Sequence, residues 1–232
     1  MPSVSRILNP HDVPVAGTDA HLPAVPAHAL TASALRRRFG QPEIWVPEFP
    51  GDGGLWAGRE PAHAAVLVPL VQRGDALHVL LTLRTDHLRD HAGQVSFPGG
   101  RRETDDADPA ATALREAEEE VGLPRRSVEV IGQMPDYTTV THFVVTPVVA
   151  LVQPPFDLAL DRFEVAEAFE VPLPFLMNPA HHRRHVFTFD GDQRQFLSMP
   201  WQGTGADGVS RQYFIWGATA AMLRNLYRFL AG

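Results

Sequence analysis

Between Asp108 and Leu123 the chain reads as one short helix with a heavy load of carboxylates, and few folds can accommodate it. Asp108 suits an N-cap and Pro109 the first helical position. Ala110 to Val121 are mostly good helix formers, and Gly122 can close the helix. At about 100° per residue, Glu116, Glu119 and Glu120 fall at i, i+3 and i+4 and share one face. Beside them Ala110, Leu114, Ala117 and Val121 form an apolar stripe, which has to lie on a core. Like charges at these spacings destabilise a helix unless something neutralises them, and hard divalent cations with oxygen ligands do so most readily. Mg²⁺ or Mn²⁺ is the natural partner. A solvated acidic face is the plainer reading of such a run, so its surroundings must decide.

The run Arg115-Glu116-Ala117-Glu118-Glu119-Glu120-Val121-Gly122-Leu123 resembles the second half of the Nudix box, GX5EX7REUXEEXGU with U aliphatic, at every fixed position. The first half departs from the pattern. Strict spacing back from Arg115 lands on Arg101 and Ala107, whereas Gly100 and Asp106 each sit one residue too early, as in a loop one residue longer. The box's first acid then falls to Asp105 or Asp106.

Upstream, Leu80-Leu81-Thr82-Leu83-Arg84-Thr85, Arg89, Gly93 and Phe97-Pro98-Gly99-Gly100 resemble the motif LLTXRSX3RX3GX3FPGG of the coenzyme A pyrophosphatase branch of Nudix hydrolases, with Thr85 in place of Ser. Val128 to Gly132, Thr146 to Val149, Glu164 to Glu167 and Ile215 to Gly217 extend the likeness to roughly residues 64 to 230.

The resemblance implies a Nudix α/β/α sandwich with a mixed β-sheet between helices. It implies metal-dependent hydrolysis of the diphosphate of coenzyme A or an acyl-coenzyme A, giving adenosine 3′,5′-bisphosphate and 4′-phosphopantetheine or its acyl form. Glu116, Glu119 and Glu120 would hold Mg²⁺ or Mn²⁺, and Arg115 would orient those acids, a task that suits the guanidinium fork. Glu119 and Glu164 are the two candidates for the base. Arg84 and Arg89 are candidates for phosphate recognition, and Gly93, Phe97, Gly99 and Gly100 for substrate binding, the glycine turn letting backbone approach the diphosphate. Two alternatives stand beside this reading. One is the same chemistry on ADP-ribose or a dinucleotide, and the other is a ligand-sensing Nudix module that hydrolyses nothing.

Composition is compatible. The length of 232 residues with 44% hydrophobic content allows one sizeable domain. The absence of cysteine excludes disulfides and thiolate chemistry, and the absence of lysine excludes a Schiff base and a P-loop. A net charge of −7 argues against general nucleic-acid binding and makes recognition of a polyanion depend on local Arg and metal charge. With no apolar run long enough to span a bilayer and no secretory leader, a cytoplasmic enzyme of a small-molecule substrate is expected. A homodimer is implied only at the level of the family.

Along the chain, residues 1–60 read as an irregular extension with a short helix near 31–39, and 61–232 as the Nudix hydrolase domain. Ala64 to Val71 and Ala76 to Leu83 form an expected hairpin about Gln72-Arg73-Gly74-Asp75. Further strands are expected at Ser127 to Ile131, His142 to Val152 and His185 to Phe189. A short helix is expected at Glu164 to Phe169, and an amphipathic helix at Ala218 to Leu230. The run His181-His182-Arg183-Arg184-His185 lacks helical metal-ligand spacing and reads as a solvated loop.

Overall fold

Val66 to Val71 form an almost unbroken apolar run in the middle of a long strand, as expected of a strand covered on both faces. The computed structural model of the chain describes residues 9–41, 45–53, 60–87, 93–189, 192–205 and 207–232. Its strands are β1 (Val15–Thr18), β2 (Ala62–Arg73), β3 (Ala76–Arg84), β4 (Val95–Ser96), β5 (Gly99–Arg101), β6 (Val128–Gln133), β7 (Tyr137–Thr138), β8 (Phe143–Val152), β9 (Val165–Pro172), β10 (Arg183–Phe189), β11 (Asp192–Thr204) and β12 (Ser210–Trp216). Its helices are α1 (Ala32–Gly40), α2 (Pro109–Val121), α3 (Leu173–Leu176) and α4 (Gly217–Ala231).

The larger sheet runs β4-β3-β2-β8-β6, with β5 on β2, β7 on β8 and β9 on β3. Among the described strand pairs of this sheet β2 and β8 alone run parallel, so the sheet is mixed. Pro69 cannot donate to a ladder. It is tolerated because it falls between the stretch of β2 paired to β5 (Ala64–Val66) and the stretch paired to β3 (Leu70–Arg73). A second, antiparallel sheet runs β1-β10-β11-β12.

Two apolar layers flank the larger sheet. On one face Ala113, Ala117, Val121 and Leu123 of α2 and the turn after it pack on Ala65, Leu67, Leu80, Val148 and Ala150. Full burial of Val121 and Leu123 contributes about 1.5–3 kcal/mol each. On the other face Leu35 and Phe39 of α1, Leu223, Leu226 and Phe229 of α4, and Met199 and Ile215 of the second sheet close a larger cluster around Leu70, Leu81 and Leu151. The architecture is the expected α/β/α sandwich about a mixed sheet.

Two expectations are corrected. The segment Glu164 to Phe169 is not a helix: from Val165 onward it is β9, paired antiparallel with β3, because Val165, Phe169 and Val171 alternate toward the core with period 2. On this strand Glu167 is 7% exposed and accepts hydrogen bonds from Arg211 and from the Tyr213 hydroxyl. The run from His181 to His185 is not a solvated loop either, since His182 and His185 are buried and β10 begins at Arg183.

Within 9–41 the chain is anchored rather than free. Strand β1 pairs with β10, Val25 and Leu30 enter the large core, and Thr31 caps α1 by accepting from the Ala34 amide.

Candidate active site

Helix α2 carries the acids, and its ends are set by local chemistry. Asp108 accepts a hydrogen bond from the Ala111 amide at 2.8 Å, Pro109 occupies the first turn, and Gly122 closes the helix in the left-handed region (φ 68°). A side chain at Gly122 would be strained and would also meet the backbone of Ala159, which follows α2 in space through the Ala159 N–H to Val121 carbonyl bond.

The buried face of α2 is wider than the stripe read from sequence. It includes Ala113, Thr112 and Glu120, while Ala110 and Leu114 are half-buried. Glu120 is 4% exposed, Glu116 is half-buried and the Glu119 side chain is 60% exposed. The three acids thus occupy three different dielectric environments on one face.

Glu116 lies against the β5 turn so closely that a Cβ at Gly100 would come within 2.5–2.6 Å of its carboxylate. Only glycine permits that approach. Glu120 accepts from the Gly99 amide at 3.1 Å and faces the Arg84 guanidinium at 3.5 Å. Burial pushes the Glu120 carboxyl up to about 7 and, more modestly, raises that of Glu116; in both cases the neighbouring carboxylates, Glu164 among them, add to the shift.

Arg115 lies at the centre of the acids. Its Nε and Nη2 grip the two oxygens of Asp106 at 3.1 and 3.0 Å, Nη1 donates to Glu116 and Glu119 at 2.9 Å each, and Nη2 also donates to the Arg101 carbonyl. Asp106, 7% exposed, also accepts from the Glu103 amide and the Thr112 hydroxyl, and the Arg115 fork holds its pKa well below the usual carboxylate range. Of the two acids named for the first half of the box, Asp106 is thus inside the network and Asp105 is exposed. The extra loop residue hid this in the sequence, because a spacing count cannot register which of two adjacent Asp side chains turns inward.

The remaining expected residues are placed as follows. Arg84 lies between Glu120 and Glu164, at 3.5 and 3.9 Å, and its buried Nε has no hydrogen-bond partner among the described residues. Glu164 is partly exposed and enters from the turn before β9. Gly93 sits in a left-handed turn (φ 67°). Phe97, expected at the substrate, is instead 3% exposed in the large core, where an apolar ring belongs. Arg89 lies outside the described residues.

The donor set suits a hard cation: carboxylate oxygens that raise one another's pKa, with a glycine turn pressed on one of them. Among the described residues no three His, Asp or Glu side chains close on one point, since Arg115 spans Glu116 and Glu119 while Gly99 holds Glu120. A groove of about 640 Å³ is lined by the apolar Leu83, Leu158, Leu160, Ala166 and Ala168 and by the charged Arg162, Glu167, Asp207 and Arg211. Nothing in the sequence pattern points to it, because its walls come from β3, β9, β12 and two loops that meet only in the fold.

Comparison with known proteins gives a consistent picture. The NUDIX domain family matches residues 61–190. A protein of Shigella flexneri serotype 5b, described as the uncharacterized Nudix hydrolase NudL, is 42% identical over 172 residues, covering 72% of this chain and 84% of its own length. Its counterpart in Escherichia coli K12 is 43% identical over 164 residues, 70% of this chain and 80% of that protein. Among solved structures, the Nudix hydrolase RenU from M. smegmatis is 26% identical, with a TM-score of 0.42 over 50% of this chain and 73% of that one.

Proposed function

The chain belongs to the NUDIX domain family, and from that premise we propose that it hydrolyses the diphosphate of coenzyme A or an acyl-coenzyme A to adenosine 3′,5′-bisphosphate and 4′-phosphopantetheine or its acyl form. The observation that carries the hydrolytic reading is the gathering of Glu116, Glu119, Glu120 and Glu164 around Arg84 and Arg115 beside the Gly99–Gly100 turn. The substrate assignment is supported by the motif running from Leu80 to Gly100, whose Arg84 stands at the acids.

Glu116, Glu119 and Glu120 would hold Mg²⁺ or Mn²⁺, which when bound neutralises a diphosphate and acidifies water. Arg115 keeps Glu116 and Glu119 in place through one nitrogen while Asp106 fixes its orientation. The backbone of Gly99 and Gly100 receives the diphosphate where no side chain intervenes. Arg84 neutralises substrate charge and Gly93, in its left-handed turn, leads the chain into β4; Arg89 has the same phosphate role by resemblance. Glu164 is the base. It takes the proton of the water that attacks phosphorus, because Glu119 is already engaged by Arg115 at 2.9 Å whereas the nearest cation to Glu164 is 3.9 Å away. The groove, with apolar Leu83, Leu158, Leu160 and Ala168 beside charged side chains, has the mixed lining that a pantetheine arm requires.

The test is incubation with Mg²⁺ or Mn²⁺ and, separately, coenzyme A, 3′-dephospho-coenzyme A, ADP-ribose and NADH, with products identified by mass spectrometry and Glu120→Gln as control. Preferential release of adenosine 3′,5′-bisphosphate is the expected result. Cleavage of the others alone would remove the coenzyme A assignment, and no cleavage of any would replace hydrolysis by ligand sensing.

A further inference from the structure

Phe163 leaves 66% of its surface in solvent, whereas every other Phe, Tyr and Trp whose side chain is described is buried or half-buried. It directly precedes Glu164, whose carboxylate faces Arg84 at 3.9 Å. The backbone of the turn that carries it is held by hydrogen bonds. The Phe163 amide donates to the Asp161 carboxylate at 2.9 Å, and the Phe163 carbonyl accepts from the Thr85 hydroxyl at 2.8 Å. The Thr85 amide donates to the Glu164 carbonyl at 3.0 Å, and the Asp161 amide donates to the carbonyl of Glu120 at 2.9 Å. The turn that presents the ring is therefore bolted to the catalytic helix at one end and to the end of β3 at the other. The hydroxyl that Thr85 shares with the Ser of the resembled motif is one of those bolts.

A backbone held this way has already lost the freedom that a flexible loop would lose on binding, while the ring it carries has gained little burial. Among the described residues its aromatic neighbour is the exposed ring of His87, 4.9 Å between centroids and inclined at 58°, so the two form an open corner rather than a closed stack. Next in the chain, Glu164 belongs to the carboxylate site. A ligand that fits both must carry a diphosphate and, a few bonds away, a flat π-face.

We propose that Phe163, with His87 beside it, is the platform on which the nucleobase of a nucleoside diphosphate derivative stacks, fixing which end of the substrate lies toward the β3 end of the site. The inference rests on the diphosphate site described above. Base-on-ring stacking of this kind is indifferent to hydrogen-bond pattern, so it gives affinity for a base without strong choice among bases.

The experiment separates this platform from the hydrolytic reading by measuring binding without turnover. Titration calorimetry in Mg²⁺ compares α,β-methylene-ADP with methylenediphosphonate, which keeps the diphosphate geometry but lacks the nucleoside. The wild-type protein should bind the nucleotide about 5- to 100-fold tighter. Phe163→Ala should remove most of that preference, Phe163→Trp should keep it, and neither should change the affinity for methylenediphosphonate. Both are surface substitutions, so a circular dichroism spectrum and melting midpoint close to wild type are expected. Equal affinity of wild type for the two ligands, or an undiminished preference in Phe163→Ala, would overturn the proposal. If no diphosphate substrate is cleaved but the preference is present and lost in Phe163→Ala, the platform stands and the hydrolytic reading falls.

Discussion

Arg115 and Asp106 are joined by two parallel hydrogen bonds, Nε to Oδ1 at 3.1 Å and Nη2 to Oδ2 at 3.0 Å, and this grip leaves Nη1 free to hold Glu116 and Glu119 together. The acids are therefore aimed by a partner pair that need not touch substrate. A planar fork can do this and an ammonium cannot.

Arg115→Lys keeps the charge and loses the fork. We expect kcat/KM to fall by about 10- to 100-fold, with a higher Mg²⁺ concentration needed for half-maximal activity, as when the outer partners of metal ligands are removed. Steady-state rates across a Mg²⁺ titration give the answer. An unchanged Mg²⁺ midpoint would mean that Arg115 does not position the acids.

Glu120 is a carboxyl buried to 4% exposure, with only the Gly99 amide and a 3.5 Å contact to Arg84 to compensate an ionised form. Glu120→Gln should abolish turnover. In metal-free buffer at pH 8 it should also raise stability, by about 1–3 kcal/mol, because a buried charge without a close counter-ion is costly. Adding Mg²⁺ should lift the melting midpoint of wild type and leave that of Glu120→Gln nearly unmoved. Equal Mg²⁺ stabilisation of both proteins would remove Glu120 from the metal site.

The two candidate bases differ in how tightly they are engaged. Glu164→Gln should lower kcat by about 10²–10⁴ with KM little changed, the usual range for loss of a general base. Glu119→Gln should also lower kcat, but its loss should be partly recovered at high Mg²⁺. The reverse pattern, with recovery in Glu164→Gln, would assign the base to Glu119.

How much of this is readable before folding depends on how local each feature is. The ends of α2 are legible because Asp108, Pro109 and Gly122 act within a few residues of themselves, and so is the hairpin of β2 and β3 about Gly74. The β9 segment is not. Its short Val-Ala-Glu-Ala-Phe run serves either period, and pairing along the whole of β3 decides for the strand. The His181 to His185 run is equally misleading in isolation. His182 bonds the Leu176 carbonyl at 2.7 Å and Arg224 at 3.1 Å, while His185 reaches Val13 and Ser198, contacts made with residues from 6 to 172 positions away. At the site, the spacing places Glu116, Glu119 and Glu120 on one face of α2, but it does not show their unequal burial.

The segment before residue 61 is integral to the larger core. Val25, Leu30, Leu35 and Phe39 are buried there, and Asp19 and Glu48 pair with the fully buried Arg224. Removing residues 1–60 exposes these contacts, each large apolar side chain contributing about 1.5–3 kcal/mol, and strands a guanidinium in the interior. We expect the fragment 61–232 to be poorly soluble or to show a broad unfolding transition at a much lower urea concentration than the full chain. A fragment with an unchanged midpoint would establish 61–232 as an independent domain.

Around Arg224, protonation should weaken the fold in two steps. The Arg224 Nη1 can only donate, so His182 Nδ1 accepts from it and Nε2–H donates to the Leu176 carbonyl, which fixes the neutral ring; burial, with Arg224 nearby, lowers its pKa from 6.5 to about 4. For Glu48, burial alone would raise the carboxyl, but hydrogen bonds from Arg224, Arg184 and Arg228 outweigh it and hold the pKa at about 2. Both folded values lie below the unfolded ones, so the unfolded chain binds more protons as pH falls. Stability is full above about 6.5, declines from there toward 4 as unfolded His182 protonates, and declines further from 4.5 toward 2 through Glu48. Glu120, with its carboxyl raised to about 7, gives the opposite slope over the same range, so the urea midpoints are compared in Glu120→Gln; between pH 8 and 3 they should fall accordingly, with the His182 step on the order of 3 kcal/mol. Adding Glu48→Gln should lower stability at neutral pH and flatten the profile below 4.5, and a Glu120→Gln midpoint constant from pH 8 to 4 would exclude a neutral, buried His182.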